Sequence, residues 1–180
     1  MGVKASVYIA TSLDGYIARD DGSTGWLKNI EYEIGEDYGY EKFFQSVDSF
    51  IVGRNTFELS LKFPEWPYGD KKVFVMTKRH LELNDEIKGK ATIVSSTPKD
   101  LVNILSGEGL KHAYVDGGLT IQSFLTAGLI DEMTITSIPI LIGKGKPLFG
   151  RLNNDIKLQL LENTFYKNGF VKNVYRVIHN

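Results

Sequence analysis

The chain has 180 residues, a formal net charge of −1, no cysteine and three histidines, enough for one domain with a buried core. That balance leaves no basic footprint for nucleic acid or anionic lipid, and it excludes disulfides, thiolate metal sites and thiol nucleophiles. His80, His112 and His179 are too dispersed for metal-ligand spacing, and the opening Met1-Gly2-Val3-Lys4 has no apolar signal core, so a cytoplasmic protein without metal or membrane span is expected.

Val3 to Thr11 reads as a strand, with the Ser12-Leu13-Asp14-Gly15 loop at its carboxyl end. From Glu33 to Val47, the spacing of Tyr38, Phe43, Phe44 and Val47 predicts an amphipathic helix. Ser49 to Gly53, Lys72 to Thr77 and Ala91 to Ser95 are short, nearly continuous apolar runs. Such runs suit strands covered on both faces of a parallel sheet. A short helix from Thr56 to Leu61 and a loop with Pro64, Trp66, Pro67 and Gly69 join the first two. Thr97, Pro98 and Asp100 mark a helix start that should run to about Ser106, since they supply a hydroxyl cap, a preset first φ and an acid at the positive dipole end.

His112 to Asp116 is a further buried run, followed by Gly117-Gly118 and a helix from Thr120 to Ala127 that Gly128 closes. Then the pattern changes. Glu132 to Ile140 is a longer strand, Gly143 to Gly150 a glycine-rich turn, and Ile156 to Ile178 two strands joined near Asn168 and Gly169. The sum is an α/β fold of about eight strands and four helices in one domain over 1-180, with an antiparallel edge last.

Four strand ends carry residues suited to phosphate. Gly117-Gly118 lets a phosphate approach the backbone, and the helix start behind it offers free N–H groups and a positive dipole end. The same pair also suits a plain tight turn. Three spaced glycines after the first strand are absent, which argues against an ordinary Rossmann dehydrogenase. Gly53-Arg54-Asn55-Thr56 places a guanidinium and a hydroxyl after another strand. Thr77-Lys78-Arg79 offers a hydroxyl and two cations, either for the 2′-phosphate that separates NADPH from NADH or as a solvated basic turn. Ser95-Ser96 ends the next strand with two hydroxyls. Ligands of open sheets bind at this edge.

Several segments in the same order resemble the bacterial riboflavin-biosynthesis reductase domain and its relative dihydrofolate reductase. They are Ser12-Leu13-Asp14-Gly15-Tyr16-Ile17-Ala18, Gly25-Trp26-Leu27, Val47-Asp48 through Gly53-Arg54-Asn55-Thr56-Phe57-Glu58, Val115-Asp116-Gly117-Gly118, Gly128-Leu129-Ile130-Asp131-Glu132, Pro139, Gly143 and Pro147-Leu148-Phe149. The resemblance implies a three-layer α/β/α fold with a mostly parallel sheet. It also implies an NADPH-dependent reductase that passes hydride to a pterin-like or aminopyrimidine substrate, as 5-amino-6-(5-phosphoribosylamino)uracil reductase does. Dihydrofolate reductase activity and a catalytically inactive NADPH-binding module are the alternatives.

Carried over by motif, Ala10, Leu13 and Ile17 would wall the nicotinamide. Gly117, Gly118, Leu119, Thr120 and Ile121 would hold the pyrophosphate, with Gly53, Arg54 and Thr56 opposite. Thr77, Lys78 and Ser95 would sit at the adenosine end. Asp37 would be the acid and Thr136 its partner, or Asp37 would be one of several first-turn acids on a solvated helix face. Asp14, Trp26 and Phe57 would lie near the substrate, although Asp14 equally suits the turn before Gly15 and Trp26 equally suits the core. The family's glycine pair is often joined by a cis peptide, and its members are expected to be homodimers. The stretch from Phe57 to Trp66 lacks the Asp-x-Pro-x-Leu segment and the following arginine that bind the riboflavin-pathway substrate's ribose phosphate, so the substrate stays open.

Overall fold

A computed structural model describes residues 2–28 and 35–179. The first strand, β1 (Lys4–Ser12), is followed by the short β2 (Tyr16–Ala18) and a single helical turn, α1 (Gly25–Lys28). Helix α2 (Tyr40–Ser46), strand β3 (Ser49–Gly53) and helix α3 (Arg54–Ser60) follow, then β4 (Lys72–Met76) and β5 (Ala91–Val94). The second half holds α4 (Pro98–Gly107), β6 (His112–Asp116), α5 (Gly118–Thr126), β7 (Glu132–Ile138), β8 (Lys146–Pro147), β9 (Lys157–Phe165) and β10 (Val171–Ile178).

Eight strands form one sheet in the order β5-β4-β3-β6-β1-β7-β10-β9, parallel from β5 through β7 and antiparallel across β7, β10 and β9. This is the mostly parallel sheet with an antiparallel edge that the sequence predicts. The two additional strands, β2 and β8, form a separate ribbon, and at three and two residues they are too short to show a period.

Side chains on a strand alternate between faces, and β3 shows what that does. Ile51 enters a core with Leu101 and Leu105 of α4 and Ile121, Phe124 and Leu125 of α5. Phe50 and Val52 enter a second core with Phe57 of α3, against which Phe43 and Phe44 of α2 pack. Helices therefore cover both faces of the parallel part, making three layers.

Four expectations change. Strand β5 is buried only at its ends, with Thr92 and Ile93 exposed, because it is the sheet edge rather than an inner strand. The helix predicted from Glu33 begins only at Tyr40; Tyr38 and Gly39 have φ of 59° and 88° and break any helix there, while Glu33 and Ile34 lie outside the described residues. Among the described residues no peptide is cis, so the glycine pair does not adopt the bond its relatives often show. Helix α5 starts at Gly118, two residues before Thr120, since Gly117 is already its cap.

Helix α4 matches its signals: the Thr97 hydroxyl accepts from the Asp100 amide at 3.2 Å and Pro98 occupies the first turn, a cap of the kind worth about 1 kcal/mol. Among the described residues no helix is long and apolar enough to cross a membrane, and no group of three or more His, Asp or Glu side chains could hold a metal ion.

Candidate functional site

Because β5, β4, β3, β6 and β1 run parallel, their carboxyl ends open on one edge. A cavity of about 1360 Å³ lies there. Arg54, Thr77 and the glycine pair all line it, so the strand-end residues singled out by sequence converge on one space.

The centre of this edge is a reciprocal fit between two strand tips. Of the neighbouring strands β3 and β6, β3 ends in Gly53 and β6 is followed at once by Gly117. A Cβ on Gly53 would stand 2.7 Å from the Thr120 hydroxyl, and one on Gly117 would stand 2.6 Å from the Thr56 hydroxyl. Each glycine thus leaves room for a hydroxyl from the helix that follows the other. Gly117 also has φ +97°, a conformation that L side chains rarely adopt. A Cβ on Gly118 would meet Ile17 Cδ1 at 2.8 Å, which seats β2 over the pair. The first-turn amides of α5 lack intrahelical acceptors and carry the positive dipole end, and Gly118, Leu119 and Thr120 line the cavity.

At the β4 and β5 tips the wall becomes cationic and hydroxylic. The Arg54 guanidinium is oriented by Glu58, 2.6 Å from Nε, and by donation to the His80 carbonyl at 3.0 Å. The Thr77 hydroxyl accepts from the Arg79 amide at 3.1 Å, which shapes the turn that presents Lys78. Ser95 and Ser96 line the same end, and Ser96 Oγ is buried without a hydrogen-bond partner. An orphaned hydroxyl inside a cavity wall is open to a ligand's polar atom.

Beyond β6 the wall is formed by Tyr8, Ala10, Thr24, Leu27, Tyr114 and Asp116, among others. The motif readings pass over Asp116 as an individual residue, although an acid ending the apolar run Ala113-Tyr114-Val115 just before two glycines is itself a signal. Burial pushes its carboxyl up to about 6, and the Gly117 amide, 2.7 Å from Oδ1, opposes only part of that. Partly buried acids with raised pKa values in clefts are functional-site candidates.

Ala10, Ile17, Gly53, Arg54, Thr56, Thr77, Lys78, Ser95, Gly117, Gly118, Leu119 and Thr120 line the cavity. Seven other expected site residues stand outside it. Leu13 is exposed on the outer loop, with its amide on the Ile140 carbonyl at 2.9 Å. Ile121 is fully buried, because one helical turn past Gly117 the side chain points into the core. Phe57 is also fully buried, packed in the second core. Trp26 is buried with Ile138, Ile142 and Phe170.

The Asp14 carboxylate accepts from the Gly143 amide at 2.7 Å and from Ile142. It ties two loops together and is held below the usual carboxylate value, first by the Ser12 hydroxyl and then by those amides. Asp37 accepts from the Glu41 and Gly39 amides, each at 2.8 Å; these bonds cap α2 and hold the acid ionised. Thr136 is buried on β7 opposite Ala10.

The RibD C-terminal domain family matches residues 4–172. The Uncharacterized protein YwjB of Bacillus subtilis (strain 168) is 38% identical over 159 residues, which cover 87% of this chain and 88% of that protein. A crystal structure from Shewanella sp. PV-4, named "Putative riboflavin biosynthesis protein", superposes with a TM-score of 0.91 at 36% identity over 99% of this chain and 100% of its own. A diaminohydroxyphosphoribosylaminopyrimidine deaminase/5-amino-6-(5-phosphoribosylamino)uracil reductase from Thermotoga maritima shares the fold, with a TM-score of 0.76 at 12% identity over 98% of this chain and 57% of that one.

Proposed function

Since the chain belongs to the family of RibD C-terminal domains, we propose that it is an NADPH-dependent oxidoreductase of the dihydrofolate-reductase-like kind, reducing a pterin-like or aminopyrimidine substrate. The observation that carries this reading is the reciprocal glycine and threonine fit at the β3 and β6 tips, with cations and hydroxyls continuing from it along one cavity. A dinucleotide needs close backbone approach at its pyrophosphate and charge at its ends, and the orphaned Ser96 hydroxyl fits a polar group of the same ligand.

When bound, the dihydronicotinamide supplies a hydride. The chain's own residues do the rest. The first-turn amides of α5 would take pyrophosphate oxygens, and Arg54, already oriented by Glu58, would meet them from α3. Ala10 and Ile17 would wall the nicotinamide. Asp116, its carboxyl holding a proton into mildly acidic conditions, delivers that proton to the substrate atom next to the one reduced.

Calorimetric titration with NADPH, followed by loss of NADPH absorbance with dihydrofolate, dihydropterins and aminopyrimidines, tests the proposal; no heat of binding would end it. Lys78→Ala is expected to weaken NADPH about tenfold and NADH less than about twofold, the size of one lost charge-assisted contact. Equal losses would remove Lys78 from the 2′-phosphate.

The reading includes a homodimer. Among the described residues strand β9 pairs only with β10, and Leu158, Leu160, Leu161 and Phe165 along it are exposed. A long apolar edge of this kind is a template for pairing. Light scattering should give twice the chain mass for the native protein and a single chain for Leu160→Lys.

A further inference from the structure

We propose that Gln122 of α5 is a positioning residue for the dinucleotide: its side-chain amide clasps the β2–β8 ribbon onto the helix and so sets how fast the coenzyme leaves. The identity of the ligand rests on the reductase reading; the clasp itself rests on geometry. Among the described residues β2 and β8 pair only with each other, so no ladder of the main sheet holds them. The ribbon walls the cavity through Ile17, Ala18, Lys146 and Pro147, and α5 walls it through Gly118 and Gln122, among others. A pyrophosphate on the first-turn amides of α5 would lie between the two.

One face of α5 receives the ribbon. Gly118 and Gln122 are four residues apart and therefore stand one above the other. A Cβ on Gly118 would meet Ile17 Cδ1 at 2.8 Å and the Pro147 carbonyl oxygen at 3.6 Å. One turn further on, Gln122 Nε2 donates to the Pro147 carbonyl at 3.0 Å and to the Leu148 carbonyl at 3.2 Å. A side-chain amide nitrogen carries two hydrogens, and both go to this one stretch of chain. Among the described residues these are the hydrogen bonds that join α5 to the ribbon and the residue after it.

The facing loop is cut to fit the same side chain. The three nearest atoms to a Cβ built on Gly150 all belong to Gln122: Oε1 at 2.6 Å, Cδ at 2.9 Å and Cγ at 3.5 Å. Gly150 lies outside the left-handed region that Gly143 and Gly145 occupy, so what its missing side chain provides is room for Gln122. Leu148 completes the clasp. Its side chain is buried in the core with Ile121, Phe124 and Leu125 of α5, and its amide donates to the Gly15 carbonyl, just before β2, at 3.0 Å. Lifting the ribbon from a bound dinucleotide breaks the Gln122 bonds first, and contacts made by a closing roof act mainly on dissociation.

The test is stopped-flow association and dissociation of NADPH, read by its fluorescence, together with hydrogen exchange of the Leu148 amide in the free protein. Gln122→Ala keeps a good helix former at a half-buried position. It should speed NADPH dissociation about fivefold, the size of one net hydrogen bond, and leave association within about twofold. Exchange at Leu148 should quicken by about the same factor. Gly150→Ala, which displaces the amide from the other side, should do likewise. The double variant should do no more than Gln122→Ala alone, because both substitutions act on one contact. A merely structural glutamine would leave the dissociation rate within about twofold of native, and that result overturns the proposal, as do additive effects of the two substitutions or unchanged exchange at Leu148. Failure of the native protein to bind NADPH is a separate result; it removes the reductase reading and this proposal with it.

Discussion

Gly117→Ala is expected to lower stability by about 1–3 kcal/mol and NADPH affinity by more than about tenfold. Two independent effects act at this position. The backbone sits at φ +97°, and the new methyl would arrive 2.6 Å from the Thr56 hydroxyl. Thr56 is β-branched and stands in the first turn of α3, so it yields only by rotating its hydroxyl out of the notch or by moving the helix start. Either motion opens the contact between the turns that follow β3 and β6. Gly109→Ala is the control, because Gly109 has φ +80° with nothing within 4 Å of its Cβ position. Denaturant unfolding and calorimetry on both variants separate the effects: Gly109→Ala should lose stability and keep NADPH affinity. Unchanged affinity in Gly117→Ala would detach the glycine pair from the cofactor.

Asp116→Asn should lower the rate of hydride transfer about 10²- to 10⁴-fold, the range for loss of a positioned proton donor, while changing NADPH affinity less than about twofold. The pH profile carries the sign. Burial raises this carboxyl from its ordinary 3.8 to about 6, so the folded protein keeps a proton that the unfolded chain has released. The active, protonated form is full below that ordinary value and is lost as pH rises through about 6. Activity with the native protein should fall over that interval, and the asparagine variant should show no such limb. Stability follows the same direction, since the contribution of the neutral carboxyl is present at low pH and lost as the group ionises within the wall. A rate for Asp116→Asn within twofold of native would move the proton donor elsewhere.

The strand ends are legible in the sequence because each buried run stops at a residue that cannot continue it: Gly53 after Ser49–Val52, and Gly117 after His112–Asp116. Glycine and hydroxyl residues there suit a tight turn or close approach of backbone and oxygen, and their convergence in one cavity follows from the parallel order of the strands that carry them. What is not legible depends on orientation. Trp26 and Phe57 are aromatic residues in motif segments, and nothing in their order tells a cavity wall from a core; both are core. Asp37 stands in an apparent helical face that the left-handed Tyr38 and Gly39 interrupt, which turns the acid from a side-chain donor into a backbone cap. Asp116 goes the other way. Its importance comes from burial, and the tyrosines whose hydroxyls feel its charge, Tyr40, Tyr68 and Tyr114, come from α2, the loop before β4, and β6.

The carbonyl oxygen of Tyr38 receives hydrogen bonds from the Tyr8 hydroxyl at 2.7 Å, the Lys172 ammonium at 3.0 Å and the Tyr166 hydroxyl at 3.3 Å. Tyr8 belongs to β1, whereas Lys172 lies on β10 and Tyr166 just beyond β9, across the antiparallel side of the sheet. One peptide oxygen therefore acts as a shared anchor between the cavity wall and strands outside its described lining. The terminal hairpin thereby braces the cavity's aromatic wall from without.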